Sequence, residues 1–240
     1  MELDVLVFAS HPDDAELAMG GTIAKFVKNG KKVGIVDLSA GEMGTRGTVE
    51  TRAKETEDAS KILGIQVREN LGLPDGKLKL DEQFVNAVIK QIRRYKPTVI
   101  FAPYFNDRHP DHIGTSRIVK EAFFFSGLAK IETEFDGKKQ RPFRPEKIFY
   151  YMQYYEFQPS FIFDISETFE LKMKAMNAYD TQFFNEKRKL EEPETFISQM
   201  NFIKFIEARA RYFGFKIGKE YGEPFYSEEE IEHDFKIYLK

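Results

Sequence analysis

Three of the four histidines in this chain lie in two short, widely separated loops. The first loop reads His11-Pro12-Asp13-Asp14, and the second reads Arg108-His109-Pro110-Asp111-His112. Imidazole and carboxylate are ligands of catalytic zinc, which typically takes three protein ligands and keeps a fourth position open. The residue types in the two loops therefore predict a mononuclear metal hydrolase.

A ligand set can be drawn from both loops. His11, Asp14 and His112 would supply two nitrogens and one carboxylate oxygen. Such a site retains positive charge and lowers the pKa of water towards about 7, which favours hydrolysis at neutral pH. The same set resembles the facial triad of non-haem iron, so the residues alone leave zinc and iron(II) open.

Asp13 stands next to the proposed ligand Asp14. Neighbouring side chains of an extended loop point in different directions, so one carboxylate can bind the metal while the other faces water. We expect Asp13 to act as a general base that later returns the proton to a leaving amine. Aspartate is also a common helix N-cap, and the two roles are compatible.

The second loop offers groups that would stabilise negative charge. Asp111 lies close enough in sequence to hydrogen bond to His109. An imidazolium held by a carboxylate would stabilise the oxyanion that forms when a carbonyl is attacked. Arg108 would add positive charge beside it, although an ordinary surface ion pair explains that residue equally well.

The elements before the two loops explain why the loops should meet. Residues 3–10 and 98–103 are apolar runs typical of buried parallel strands, and they count as strands one and four of the chain. In a doubly wound sheet of order 3-2-1-4-5, these strands flank the reversal of winding, and ligands bind beyond their carboxyl ends. Both loops are therefore expected to border one crevice.

Strands and helices alternate along most of the chain, which predicts an α/β fold. The fold expected is a Rossmann-like, doubly wound and mostly parallel sheet of order 3-2-1-4-5 with additional C-terminal strands, flanked by helices. One domain should cover residues 1–240, with a polar surface excursion near 130–146 and a helical C-terminal part from 166 to 240. Further strands are predicted at 33–39, 67–71, 147–151 and 160–164, and helices at 15–29, 49–63, 81–95, 112–128, 166–184 and 194–213.

The composition narrows the class of protein. A net charge of -3 provides no basic field for nucleic acid. The absence of Cys removes disulfides and thiolate ligands and is compatible with a reducing cytosol. No apolar run is long enough to cross a bilayer and no signal region precedes the first strand, so we predict a cytoplasmic protein. The 24 Phe and 11 Tyr residues favour packing in the core or a subunit interface over stacking on a sugar ring.

These motifs resemble those of the LmbE-like, or PIG-L, family of metal-dependent N-acetylglucosaminyl deacetylases. Residues 9–14 and 108–112 carry the resemblance, which extends to the glycine-rich segment 41–48 with Arg52 and Glu55 and to residues 73–76. The resemblance covers most of the chain and is strongest across the first 115 residues. It implies a small sugar conjugate as substrate and a homo-oligomer, either a trimer or a hexamer.

The resemblance also implies roles for individual residues. It implies His11, Asp14 and His112 as zinc ligands and Asp13 as the base. His109 and Asp111 would act together on the oxyanion side, and Arg52 and Asp75 occupy positions where relatives contact the sugar.

The C-terminal half is similar to the branch that deacetylates N-acetylglucosaminyl malate in bacillithiol biosynthesis. Residues 179–183 and 211–214 carry this similarity, although the branch commonly has Ser where this chain has Thr181 and Phe215. Malate carboxylates would suit bidentate hydrogen bonds from Arg46. The alternatives are a deacetylase of chitobiose or another N-acetylglucosamine compound, a mycothiol-type conjugate amidase, and a non-catalytic sugar-binding module that contains a metal.

Overall fold

The computed structural model describes residues 1–185 and 192–232. Its strands are β1 Val5–Ala9, β2 Val33–Asp37, β3 Val67–Asn70, β4 Val99–Pro103, β5 Glu134–Phe135, β6 Lys138–Lys139, β7 Lys147–Tyr151, β8 Phe161–Asp164 and β9 Gly222–Tyr226. Its helices are α1 Asp14–Lys28, α2 Val49–Leu63, α3 Glu82–Tyr95, α4 Pro110–Phe125, α5 Phe169–Asn177 and α6 Met200–Lys216.

One seven-stranded sheet has the order β3-β2-β1-β4-β7-β9-β8. The strands from β3 to β7 pair in parallel, whereas β9 pairs antiparallel with both of its neighbours. This arrangement confirms the predicted order 3-2-1-4-5, in which β7 is the fifth strand. β1 and β4 are neighbours, and the later strands are added in opposite directions on the two sides of this pair. The predicted ligand-binding crevice therefore lies beyond their carboxyl ends, at Ala9 and Pro103.

Helices cover both faces of the sheet, and every residue of β1 is buried. Val5 and Val7 face one apolar cluster, which includes residues of α1, α2, α5 and α6. Leu6 and Phe8 face a second cluster, formed with α3 and α4. The two layers account for the continuous apolar run in β1, since a parallel strand covered on both faces has no polar side.

The C-terminal part departs from the prediction. It contains the strand β9, so it is not purely helical. Compared with the predicted helices 166–184 and 194–213, α5 is shorter at both ends and α6 begins later, at Met200. α5 ends at Asn177 because the following turn is drawn towards α2, where the Thr181 backbone N–H donates to Glu55 at 2.7 Å. In the predicted excursion, β5 and β6 form a small hairpin. None of the described helices combines the length and hydropathy that crossing a membrane requires.

Gly114 allows α4 to lie directly against the loop that carries Asp75. A Cβ at Gly114 would lie 1.8 Å from the backbone oxygen of Leu78, which cannot rotate away as a side chain would. We expect Gly114→Ala to lower the free energy of unfolding by about 3 kcal/mol. Urea unfolding tests this, with the exposed Arg117→Ala on the same helix as a control. Equal stability of the two variants would contradict the close approach.

Candidate active site

A pocket of about 460 Å³ opens at the carboxyl ends of β1 and β4. Both predicted loops line it. The first contributes His11, Asp13 and Asp14, and the second contributes Arg108, His109 and His112. The reversal of winding therefore brings the two loops together, as the strand pattern predicts.

The three proposed ligands converge within this pocket. His11 Nδ1 lies 3.4 Å from Asp14 Oδ2, and His112 Nε2 lies 3.2 Å from Asp14 Oδ1. One ligand atom from each of the three residues lies within 4.8 Å of the others. Two imidazole nitrogens and a carboxylate oxygen form a donor set that suits zinc or iron(II), so this cluster could hold a metal ion.

Further carboxylates orient the two imidazole rings. His11 Nε2 lies 3.0 Å from Asp75 Oδ1, and His112 Nδ1 lies 2.8 Å from Asp107 Oδ1. A carboxylate that accepts one ring N–H leaves the lone pair of the other nitrogen for a metal. Burial lowers the pKa of His112, but Asp14 and Asp107 outweigh it and raise this pKa to about 9.

A second group of possible ligands shares His11. It combines His11 with His109 and Asp111, whose ligand atoms also lie within 4.8 Å of one another. However, the Asp111 carboxylate already accepts hydrogen bonds from the backbone N–H groups of Gly76 at 2.7 Å and Leu78 at 3.1 Å. Both oxygens of Asp111 thus have backbone donors, whereas Asp14 has one on Oδ2 only, from His11 at 3.0 Å. The group with Asp14 and His112 is therefore the better metal site.

Asp13 has an unusual backbone conformation. Its φ is 105° and its ψ is -28°, in the left-handed region that strains a residue with a side chain. It occupies the N-cap position of α1, but its side chain makes no capping hydrogen bond, so the capping role is wrong for the carboxylate. Burial raises the pKa of Asp13 to about 7, against the opposing charge of Arg52.

Arg52 holds the Asp13 carboxylate in position. Its Nη2 lies 3.1 Å from Asp13 Oδ2 and donates to Gln182 Oε1 at 2.6 Å, while Nη1 donates to the Gly41 carbonyl at 3.3 Å. Sequence reasoning did not identify Gln182 as a site residue, although segment 179–183 carries part of the resemblance. Arg52 lines the pocket as expected, and it also positions the neighbouring acid.

Comparison with known proteins identifies the relationship. The profile of the PIG-L family, described as GlcNAc-PI de-N-acetylase, matches residues 6–123. The crystal structure of a conserved protein from Thermus thermophilus is 39% identical and superposes with a TM-score of 0.86, covering 97% of each chain. The chain belongs to the PIG-L family. This confirms the resemblance, the fold class and the prediction of a deacetylase.

Two curated PIG-L relatives bear on the substrate. The diacetylchitobiose deacetylase of Thermococcus kodakarensis is 27% identical over 91% of this chain and 80% of its own length. The probable N-acetyl-alpha-D-glucosaminyl L-malate deacetylase 2 of Bacillus cereus is 28% identical over 76% of this chain and 84% of its own. Both proteins resemble this PIG-L chain to a similar degree.

Asp107 is a residue of the PIG-L pocket that sequence reasoning missed. Besides contacting His112, its carboxylate accepts the backbone N–H of His109 at 3.1 Å and of Tyr154 at 2.8 Å. It therefore ties the second loop to the segment that follows β7. The available signal was its position two residues before His109, inside the same loop.

The predicted pairing of His109 with the Asp111 carboxylate is wrong for this PIG-L chain. His109 Nδ1 instead accepts the backbone N–H of Asp111 at 3.2 Å, so the ring proton lies on Nε2. Burial, and then the nearby rings of His112 and His11, lower the pKa of His109. The ring is thus a neutral donor facing the pocket rather than an imidazolium.

The remaining residues predicted to bind substrate have different surroundings in the PIG-L structure. Asp75 lines the pocket, but its carboxylate already contacts His11 and accepts the Met43 backbone N–H at 2.9 Å. Arg46 does not line the pocket, which corrects its predicted role. Arg108 does line it, with its guanidinium 4.5 Å from the ring centre of Phe196.

Proposed function

We propose that this PIG-L protein is a zinc-dependent deacetylase that hydrolyses the N-acetyl group of an N-acetylglucosaminyl conjugate. The products are acetate and the free amine. The observation that carries this proposal is the convergence of His11, Asp14 and His112 in one pocket beside the Asp13 carboxylate. A structural or purely sugar-binding metal site has no use for a buried acid held at a strained backbone position beside its ligands.

Zinc bound by these residues would act as a Lewis acid that polarises the amide carbonyl and activates water. Iron(II) fits the same donor set, so metal analysis of the purified protein decides the native ion. The carboxylates at His11 and His112 orient the two rings so that one nitrogen of each faces Asp14 and can serve as a metal ligand.

Asp13, Arg52 and His109 provide the proton transfers and charge stabilisation. Asp13 takes a proton from water as the water oxygen bonds to the acetyl carbon, and it gives that proton to the amine nitrogen as the C–N bond breaks. Arg52 holds Asp13 in place through its 3.1 Å contact. His109 donates from Nε2 to the carbonyl oxygen as negative charge develops there.

For the substrate we propose N-acetyl-D-glucosaminyl L-malate, an intermediate of bacillithiol biosynthesis. Arg108 lines the pocket and makes no ion pair with any residue that the structure describes, so its N–H groups are available to a carboxylate. The aromatic rings of Phe196 and Tyr154 support the guanidinium, at 4.5 Å and 5.2 Å from their centres.

Diacetylchitobiose is the second candidate substrate. Tyr154 and Phe196 also line the pocket, where their rings would pack against the second sugar of a disaccharide. For these two residues, this candidate substrate would favour stacking on a sugar over the packing in the core or an interface that the sequence pattern favours. This candidate requires the rings alone, whereas the malate conjugate also requires the charge of Arg108.

Arg108→Ala separates the two candidates. Loss of a charge-assisted hydrogen bond should raise KM for the malate conjugate about tenfold, with little change for diacetylchitobiose. Acetate release by the zinc-loaded enzyme measures both, and Arg46→Ala is the matched control outside the pocket. Equal effects of Arg108→Ala on both substrates would remove the argument for malate. No acetate from either substrate would contradict the proposed deacetylase itself.

Two further properties stay predictions. The lack of cysteine is compatible with a cytoplasmic location. The family resemblance implies a trimer or a hexamer. Sedimentation of the purified protein tests the assembly.

A further inference from the structure

Gln153 lies in the wall of the active-site pocket and carries an unused hydrogen-bond acceptor. It follows β7 by two positions, lines the pocket and is only 4% exposed. Its Oε1 is buried and has no partner among the residues that the structure describes. Buried polar atoms are nearly always hydrogen bonded, so an unused acceptor on a residue that lines a substrate pocket points to a donor on the ligand.

The orientation of the Gln153 amide follows from its other end. Nε2 lies 3.5 Å from the backbone oxygen of Asp14, one of the three proposed metal ligands. A backbone carbonyl can only accept, so exchanging the two ends of the amide would set two acceptors against each other. Nε2 therefore faces Asp14, and Oε1 is the atom left for a ligand.

The backbone around Gln153 is fixed on both sides. Its carbonyl accepts a hydrogen bond from the guanidinium of Arg209, which is itself buried. The next residue, Tyr154, donates its N–H to Asp107 at 2.8 Å. The side chain is thus held in place before any substrate arrives, which reduces the entropy lost on binding.

The carboxylates beside the proposed metal site each already have at least one donor. Asp13 contacts Arg52, Asp75 accepts from Met43, and Asp107 accepts from His109 and Tyr154. Gln153 Oε1 is in addition neutral, so it can bind a substrate donor without adding charge next to Asp14.

We propose that Gln153 is a substrate-binding residue whose Oε1 accepts a hydrogen bond from the sugar substrate. The donor is either a hydroxyl of the glucosamine ring or the N–H of the scissile amide. This proposal rests on the proposed function, because it takes the ligand of the pocket to be an N-acetylglucosaminyl compound. It adds a contact that neither histidine loop supplies.

The test measures binding in the Asp13→Asn background, so that substrate is held without being consumed. Calorimetry gives the Kd of N-acetylglucosaminyl malate with and without Gln153→Met, a change that keeps the length of the side chain but removes its amide. We expect the Kd to rise about fivefold to tenfold, as for loss of one neutral hydrogen bond. Zinc content and thermal unfolding confirm that the variants are folded, and Gln153→Leu serves if the Met variant does not fold.

Gln91→Met is a matched control, because Gln91 is also buried with an unused Oε1 but lies on α3, outside the pocket. It should leave Kd unchanged. Analogues identify the donor: one lacks the amide N–H through N-methylation, and others lack a single ring hydroxyl. The analogue whose Kd no longer depends on residue 153 lacks the group that Gln153 binds.

Two results would overturn the proposal. One is an equal Kd with Gln and Met at position 153, and the other is a difference that persists with every analogue. Acetate release by the parent enzyme is measured in parallel. Acetate release together with an equal Kd would support the proposed function and contradict only the role of Gln153. Absence of both acetate release and substrate binding would contradict both proposals.

Discussion

Asp13→Asn should lower kcat about 10²- to 10⁴-fold while the protein keeps its zinc. The amide has the size of the carboxylate but cannot take a proton from water. Asparagine also tolerates the φ of 105° found at this position, so the loop and the neighbouring ligand Asp14 should stay in place. Acetate release and zinc content, measured on the same preparation, test this expectation.

The exposed Asp58→Asn on α2 is the control for loss of a carboxylate. It should retain parental turnover and parental zinc. Near-parental kcat in Asp13→Asn would show that another group handles the proton. Loss of zinc from Asp13→Asn would instead place this residue among the metal ligands.

His112→Ala should abolish both zinc binding and turnover, because it removes one of three ligands and the one that joins the second loop to Asp14. Asp107→Ala should have a graded effect, since it leaves all three ligands in place and removes the carboxylate that orients the His112 ring and accepts the backbone N–H groups of His109 and Tyr154. We expect it to weaken zinc binding about 10- to 100-fold, with activity restored by added zinc. Titration of each apoprotein with zinc separates the two behaviours.

His109→Ala distinguishes the two possible ligand groups, because His109 belongs only to the one with Asp111. It should keep zinc while losing turnover about 10²- to 10³-fold through the missing donor. If His109→Ala lost zinc and His112→Ala kept it, the metal site would instead be the group of His11, His109 and Asp111.

The metal ligands could be predicted from sequence because each lies next to the end of a strand or the start of the following helix. Once β1 and β4 are placed on either side of the reversal, topology alone brings His11 and His112 to one crevice. The required information is local: a buried apolar run followed by a loop of chemically capable residues. This explains why the fold class and the meeting of the two loops follow from residue patterns.

Gln153 and Gln182 could not be predicted in this way. Their role depends on where the chain passes after β7 and after α5, and those segments are held by tertiary contacts such as that between Thr181 and Glu55. A single glutamine carries no pattern that distinguishes a pocket residue from a surface one. The hydrogen bond from the Asp111 backbone N–H to His109 Nδ1 could not be predicted either, because sequence spacing does not show which atoms meet.

The strand β9 was missed for a physical reason. Gly222 and Pro224 are both unfavourable in a strand, and Pro224 lacks the N–H that a central position needs. The structure accommodates Pro224 because β7 pairs only with Phe225 and Tyr226, so no ladder bond to β7 is required at the proline. The sequence shows the proline, but it does not show that the pairing of β9 with β7 is too short to include it.

The central claim is that one metal ion lies between the two loops, held by His11, Asp14 and His112. Anomalous diffraction from crystals grown with zinc, recorded on both sides of the zinc absorption edge, tests it most directly. The account predicts one strong peak within bonding distance of His11 Nδ1, His112 Nε2 and the Asp14 carboxylate. The absence of a peak there, or a peak bound instead by His109 and Asp111, would contradict it.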